Sequence, residues 1–191
     1  MKIGAVMFFT TDSMRPAPLA IELENRGFES LWVPEHTHIP VPRRGEPADP
    51  VTGMPMGGTR EWFMPEEYRH MGDPLTTLAA AAVVTTRLRL GTCVCLINQH
   101  HPINLAKQVA SLDRLSDGRF IFGIGAGWFE REHRVFGFPF PPLGERLDRL
   151  EEAARICRGL LDGERVTVAG RWLSVEGATN DPPRVQARMP L

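Results

Sequence analysis

The sequence predicts an α/β fold in which a parallel sheet is covered by helices, either doubly wound or closed as a (β/α) barrel. Three observations predict it. Short apolar runs alternate along the chain with stretches of helical period, the pattern of repeated βα units. The run Phe120–Gly125 is apolar on both parities, as expected of a strand buried on two faces. Gly123, Gly125 and Gly127 then punctuate the end of that strand. Losing Cβ there either lets backbone N–H groups approach a ligand or simply lets backbone pack closely. The spacing is G-x-G-x-G and not the G-x-G-x-x-G of a dinucleotide site.

Each element has its own signal. Lys2 to Phe9 reads as a first strand, closed by the polar turn Thr10-Thr11-Asp12-Ser13. Leu19, Ala20 and Leu23 recur at helical spacing up to Gly27, a C-terminal cap. Phe28 to Val33 is the second strand. Residues 34–72 are rich in Pro and Gly without sustained periodicity, and a connection of that length is a functional rim loop. Its Met54, Met56, Trp62, Phe63 and Met64 either form an apolar lid or pack down on the fold. Asp73 caps the next helix, with Pro74 in its first turn and Leu75 to Thr86 as its body; Leu88 to Leu96 follows as the third strand.

A helix over Pro102–Leu115 carries the stripe Leu105, Val109, Leu112 and ends at Ser116-Asp117-Gly118. Phe120 to Gly125 is the fourth strand. The last long helix places Leu143, Leu147, Leu150, Ala154, Cys157 and Leu161 at steps of three and four, which predicts one buried face. Arg165–Val168 and Trp172–Val175 flank Ala169-Gly170 as a short hairpin, and Gly177 to Leu191 contains no strand signal.

Composition narrows the function. The 191 residues are 42% hydrophobic, enough for the core of one domain over 1–191. The 22 basic and 23 acidic residues are well mixed, which argues against nucleic-acid and anionic-membrane partners. No apolar run has membrane-spanning length, and Met1 to Phe9 is too short for a secretory signal. Cys93, Cys95 and Cys157 are the three cysteines; the first two lie two apart on an extended strand, poor geometry for a disulfide or a zinc site. Reduced thiols in a cytoplasmic protein are expected.

In a barrel, ligands bind where the C-terminal strand ends meet. Glu35 and His36 follow the second strand, Cys93 to Gln99 end the third, and Gly125 to Trp128 end the fourth, so all lie on that rim. His36 and His38 put two imidazoles on one side, which raises a metal-dependent hydrolase. No carboxylate–histidine set recurs at later strand ends, so no metal is expected. His70, His100, His101 and His133 read as solvated or loop residues, and Glu130, Arg131 and Glu132 as an exposed helical start, with Glu132 able to line the rim.

At Leu31–Pro40, Thr86–Leu96, Leu112–Arg119 and Gly123–Trp128 the chain resembles the luciferase-like oxidoreductases, a flavin- and deazaflavin-dependent TIM (β/α)8 barrel family. With Phe138–Arg155 the resemblance extends over most of the chain in the family's order. It implies an oxidoreductase that moves hydride between a deazaflavin, coenzyme F-420, and a small organic substrate. FMN is the alternative coenzyme, in a monooxygenase. The form Pro34-Glu35-His36-Thr37-His38-Ile39-Pro40 is most similar to the F-420 branch. The resemblance places catalytic His36, with Glu35 before it, beside the coenzyme ring. It places Cys93 and Val94 at a non-prolyl cis peptide behind the ring, and Ala126, Gly127 and Trp128 against the ring or its side chain. Some deazaflavin relatives carry a catalytic glutamate where Trp128 stands, so their sugar-phosphate chemistry is not expected here.

The family's barrel has eight strands in roughly 250 residues. About four βα units and an insertion hairpin are legible here, so the expectation is an incomplete barrel, truncated before the fifth strand. Such a half-barrel could also be non-catalytic without a complementing chain. Its open edges favour pairing, and a homo-oligomer is expected. Light scattering on the isolated 191-residue chain checks this: self-association or marginal stability is the expected outcome, and a sharply unfolding, fully active monomer would contradict it.

Overall fold

The structure, a computed structural model, describes residues 1–40 and 66–190. Four strands, β1 (Gly4–Val6), β2 (Ser30–Val33), β3 (Arg89–Thr92) and β5 (Phe120–Ile121), form a parallel sheet in the order β1-β2-β3-β5. Ala5, Leu31, Leu90 and Phe120 lie side by side across it. The spatial order follows the chain order without reversal. A doubly wound sheet has a switch point where the order reverses, so this sheet is wound in the barrel sense. Helices α1 (Pro16–Asn25), α2 (Pro74–Ala82) and α3 (Pro102–Leu115) make the crossovers.

Two of the predicted strands are each broken in two. The third continues past the break as β4 (Cys95–Leu96) and the fourth as β6 (Ile124–Gly125), which pair with each other in parallel, Cys95 beside Ile124. The breaks have identifiable causes. Cys93–Val94 is a cis peptide. Across from it, Gly123 presses so close to Thr92 that a Cβ would lie 2.2 Å from the Thr92 carbonyl oxygen. Thr92 Oγ1 and Cys95 N both donate to the Gly123 carbonyl, at 2.7 and 2.8 Å, and carry the strands across the gap.

Helix α3 has the predicted bounds, and Asp73 caps α2 by accepting from Thr76 N at 2.7 Å. Helix α2 was expected to reach Thr86 but ends at Ala82. The Arg119 guanidinium takes its last carbonyl and two of the turn that follows, donating to Ala82 O at 2.8 Å, Thr85 O at 2.9 Å and Leu88 O at 2.7 Å. From the other side the Glu24 carboxylate accepts from the backbone N–H groups of Thr86, Arg87 and Leu88 at 3.0, 2.7 and 2.7 Å. The turn into β3 is thus held by one charge on its donors and the opposite charge on its acceptors.

After β6 come α4 (Glu130–Phe136), α5 (Leu143–Leu161) and the antiparallel hairpin β7 (Val166–Ala169) and β8 (Ser174–Ala178). Helix α5 packs on α3 through Ala153, Ile156, Cys157 and Leu160, with the Cys157 thiol 3.5 Å from the Pro102 carbonyl. The predicted stripe is therefore half right. Leu143 and Leu147, in the first two turns of α5, are 58% and 49% exposed. Past β8 the chain returns to the open edge of β5. Gln186 Nε2 donates to Phe120 O at 2.7 Å, Phe122 N donates to Pro190 O at 3.2 Å, and Met189 is fully buried. That edge, expected to stand bare, is thus covered at Phe120 and Phe122.

Of the long rim loop, Met54, Met56, Trp62, Phe63 and Met64 lie outside the described residues. Among the described residues no helix is long and apolar enough to cross a membrane.

Partial burial alone would raise the Glu24 carboxyl, but the Arg87, Leu88 and Thr86 N–H groups and the Arg87 charge outweigh it and hold it at about 2. A carboxyl depressed by folding stabilises the native state above its unfolded value and loses that contribution as pH falls through the folded one. Urea unfolding should therefore show stability falling between the ordinary value of 4.5 and about 2. In Glu24→Gln that acid-side loss should shrink, and the midpoint near neutral pH should be lower than in the wild type.

Candidate functional site at the strand-end rim

Beyond Val33, Glu35 and His36 send their side chains to different partners. Glu35 turns inward toward β4, and His36 turns toward α4. Glu35 is buried, and its Oε2 accepts from the Leu96 backbone N–H at 2.5 Å. Oε1 lies 2.7 Å from His100 Nε2, and the Cys95 thiol is hydrogen-bonded to the same carboxylate. Burial, then the Glu35 charge, pushes the Cys95 thiol well up, so it stays protonated and donates. Burial pulls His100 down, but its hydrogen bond to Glu35 and the Glu35 charge outweigh that, and the net shift is upward. The ligand-type atoms of Glu35, Cys95 and His100 lie within 4.8 Å of one another. The hydrogen bonds account for that proximity.

His36 belongs to a second network. Its Nδ1 lies 2.6 Å from Glu132 Oε2; the His36 side chain is 8% exposed and Glu132 is 0% exposed. Glu132 Oε1 accepts from Gln99 Nε2 at 3.2 Å, and Gln99 Nε2 also lies 3.3 Å from His133 Nε2. His133 Nδ1 lies 3.0 Å from the Phe129 carbonyl. Thr37 Oγ1 donates to Gln99 Oε1 at 3.1 Å. The rings of Trp128 and Phe129 stand edge-on to the His36 ring, centroids 6.1 and 6.3 Å away.

The strand ends supply the rest of the rim. Cys93 and Val94 are exposed at the cis peptide. Ala126 O accepts from Asn98 Nδ2 at 3.4 Å, and Arg146 donates to the Gly127 carbonyl. The rim glycines make room for protein. A Cβ on Gly125 would lie 2.5 Å from Val94 Cγ2, and one on Gly127, at φ +79°, would lie 2.7 Å from the His133 ring. Close packing, one of the two readings of these glycines, explains both. Trp128 is 54% exposed, so its indole offers an apolar shelf beside His36, and Val94 is a further exposed apolar side chain at the cis peptide. A cavity of about 80 Å³ lined by Asn98, His100, Arg146 and Trp172 is far smaller than the several hundred Å³ of a coenzyme pocket.

The structure thus brings His36, Ala126, Gly127 and Trp128 to one rim with Cys93 and Val94, and places Glu35 with Cys95 and His100 instead of beside the His36 partner. Several expectations are corrected. Arg131 is buried, not part of an exposed helical start, and Glu132 is buried where the other reading of it had it, lining the rim. His133 is buried in the rim network, and His100 is mostly buried against Glu35. His101 caps α3 by accepting from Ile103 N at 3.4 Å, and His70 is exposed. His38 turns to Phe136, centroids 5.2 Å apart, so His36 and His38 do not converge. Glu132, Gln99 and His133 escaped notice as a group. The available signal was their position, one turn into the element following the glycine strand end and at the end of the third strand.

The sequence pattern described as luciferase-like monooxygenase matches residues 15–191. An uncharacterised protein of Mycobacterium tuberculosis is 37% identical over all of this chain, which spans 64% of that protein's length. An F-420-dependent glucose-6-phosphate dehydrogenase of Kineococcus radiotolerans is 32% identical over 85% of this chain and 41% of its own length. Among solved structures, the monooxygenase RslO1 from Streptomyces bottropensis superposes with a TM-score of 0.76 at 26% identity, over all of this chain and 52% of that one.

Glu35→Ala should leave the Leu96 N–H and His100 buried without their acceptor and cost about 2–4 kcal/mol in urea unfolding. A histidine raised by folding stabilises fully below its unfolded value and loses that contribution as pH rises through its folded value. The wild type should therefore lose stability as pH rises above the ordinary histidine value of 6.5, and Glu35→Gln should flatten that slope.

Proposed function

Because this chain belongs to the luciferase-like monooxygenase family, we propose that it forms the strand-end rim of an oxidoreductase that passes hydride between coenzyme F-420 and a small organic substrate. The observation that carries the reading is His36: a nearly buried imidazole, held by a buried carboxylate, beside the exposed apolar shelf of the Trp128 indole at the C-terminal strand ends. That shelf suits a flat aromatic ring, which is the part of a deazaflavin or flavin that a protein must hold. When bound, the coenzyme supplies the carbon that gives or takes hydride.

The chain's own residues do the remaining work. His36 exchanges a proton at Nε2, the nitrogen not engaged by Glu132, as a substrate alcohol becomes a carbonyl or the reverse. Its low exposure keeps water from competing for that proton. Val94, at the Cys93–Val94 peptide, backs the ring, and Ala126, Gly127 and Trp128 border it. Trp128 presents an indole where an acid would serve a sugar phosphate, so the substrate class is a small, largely apolar alcohol or carbonyl.

A monooxygenase is the second reading, favoured by the likeness to the monooxygenase RslO1, and FMN would be its coenzyme. The family includes members using F-420 and members using FMN.

Titrating the protein into F-420 and into FMN, with fluorescence as the readout, tests the proposal. Quenching of F-420 is expected. His36→Ala should lower turnover by about 100-fold or more and weaken the quenching. Quenching of FMN alone would favour the second reading. Tight nicotinamide binding with no response to either coenzyme would overturn both.

A further inference from the structure

We propose that Glu132 is the positioning residue for His36: it fixes the imidazole as the Nδ1–H tautomer and leaves Nε2 as the proton-exchanging nitrogen. The inference rests on the reading of His36 given above and adds what makes that ring competent.

Donor and acceptor roles can be followed through the network from one fixed point. A carbonyl only accepts, so the Phe129 carbonyl, 3.0 Å from His133 Nδ1, puts the His133 proton on Nδ1. His133 Nε2 is then an acceptor and takes a hydrogen from Gln99 Nε2 at 3.3 Å. This orients the Gln99 amide, with Oε1 turned to the Thr37 hydroxyl at 3.1 Å and the second amide hydrogen on Glu132 Oε1 at 3.2 Å. Glu132 accepts there, and Thr37 Oγ1 adds a longer contact at 3.4 Å. The other carboxylate oxygen lies 2.6 Å from His36 Nδ1, with Glu132 wholly buried. A carboxylate held as an acceptor at that distance requires the His36 proton on Nδ1. The hydrogen bond made by one ring nitrogen sets what the other can do.

The arrangement also fixes ring direction. His36 is clasped at Nδ1 and bordered by the edges of Trp128 and Phe129, so flipping the ring would break its hydrogen bond to Glu132. When Nε2 receives a proton, the carboxylate lies opposite the positive charge that forms. Among the described residues, the other titratable or charged groups on these elements are Glu130, Arg131, His133 and Arg134 on the same helix, Glu35 and His38 beside His36 in the chain, and, through Glu35, His100.

The test is long-range ¹H–¹⁵N correlation on protein labelled at histidine, which reads each ring nitrogen directly and needs no coenzyme. The expected wild-type result is His36 with Nδ1 protonated and Nε2 bare. A dominant Nε2–H form overturns the proposal, whatever the variants do. In Glu132→Ala the Nδ1–H form should cease to dominate, and kcat should fall about 10- to 100-fold with KM for the coenzyme changing less than about twofold. Glu132→Asp, which keeps a carboxylate, should recover part of both. A folded Glu132→Ala with the His36 tautomer unchanged overturns the proposal. A changed tautomer with unchanged turnover supports the pairing and overturns the catalytic reading of His36, so the two failures are distinguishable.

Discussion

Between β3 and β4 the sheet loses its ladder, and the Leu96 N–H would be buried without a partner if Glu35 did not reach it from the end of β2. An unpaired buried donor costs about 1–3 kcal/mol, a large part of what keeps a domain folded. The same solution recurs at three other places where this chain leaves regular structure. Glu24 takes three N–H groups before β3, Glu152 takes those of Arg171, Trp172 and Leu173 beside the hairpin, and Asp113 takes those of Val185 and Gln186. Carboxylates do for the turns what neighbouring strands do for the sheet. The rim can depart from ladder geometry because its displaced donors are met this way.

Adjacent positions consequently carry unlike duties. Glu35 secures one strand end to the next and is spent in doing so, with a thiol, an imidazole and a backbone N–H bound to it. His36, one residue on, is turned the other way and keeps one ring nitrogen for exchange. Gly125 at the end of β6 and Gly127 just after it add close packing: they admit Val94 and the His133 ring, and so let the network close up behind the site.

Much of this architecture was legible in the residues. The alternation of apolar runs with helical periods carried the βα order. Asp73-Pro74 marked the start of α2, and Pro102 and Ser116 bracketed α3. The likeness of Cys93–Val94 to family members foretold the cis peptide. What escaped had physical reasons. A leucine repeat states which face could be buried, not how much of it a partner covers, so Leu143 and Leu147 read as core while standing exposed. Charged residues at a helix start read as solvated unless their partners are known, and the partners of Glu132 lie 33 and 96 residues away, at Gln99 and His36. Arg119 shortens α2 from 37 residues further along the chain, a distance local propensity cannot see.

Trp128 differs from every other group around His36. Its neighbours are wired into one another and buried, whereas the indole stands over half exposed at the end of a tight loop whose carbonyl oxygens are anchored from Asn98 and Arg146. Exchanges at exposed positions usually alter stability by less than about 0.5 kcal/mol. Selection could therefore explore this one position at little risk to the fold, changing what the rim admits while the proton-handling apparatus beneath it is inherited intact. Divergence of substrate preference among proteins built on this rim would then begin at the residue with the fewest obligations.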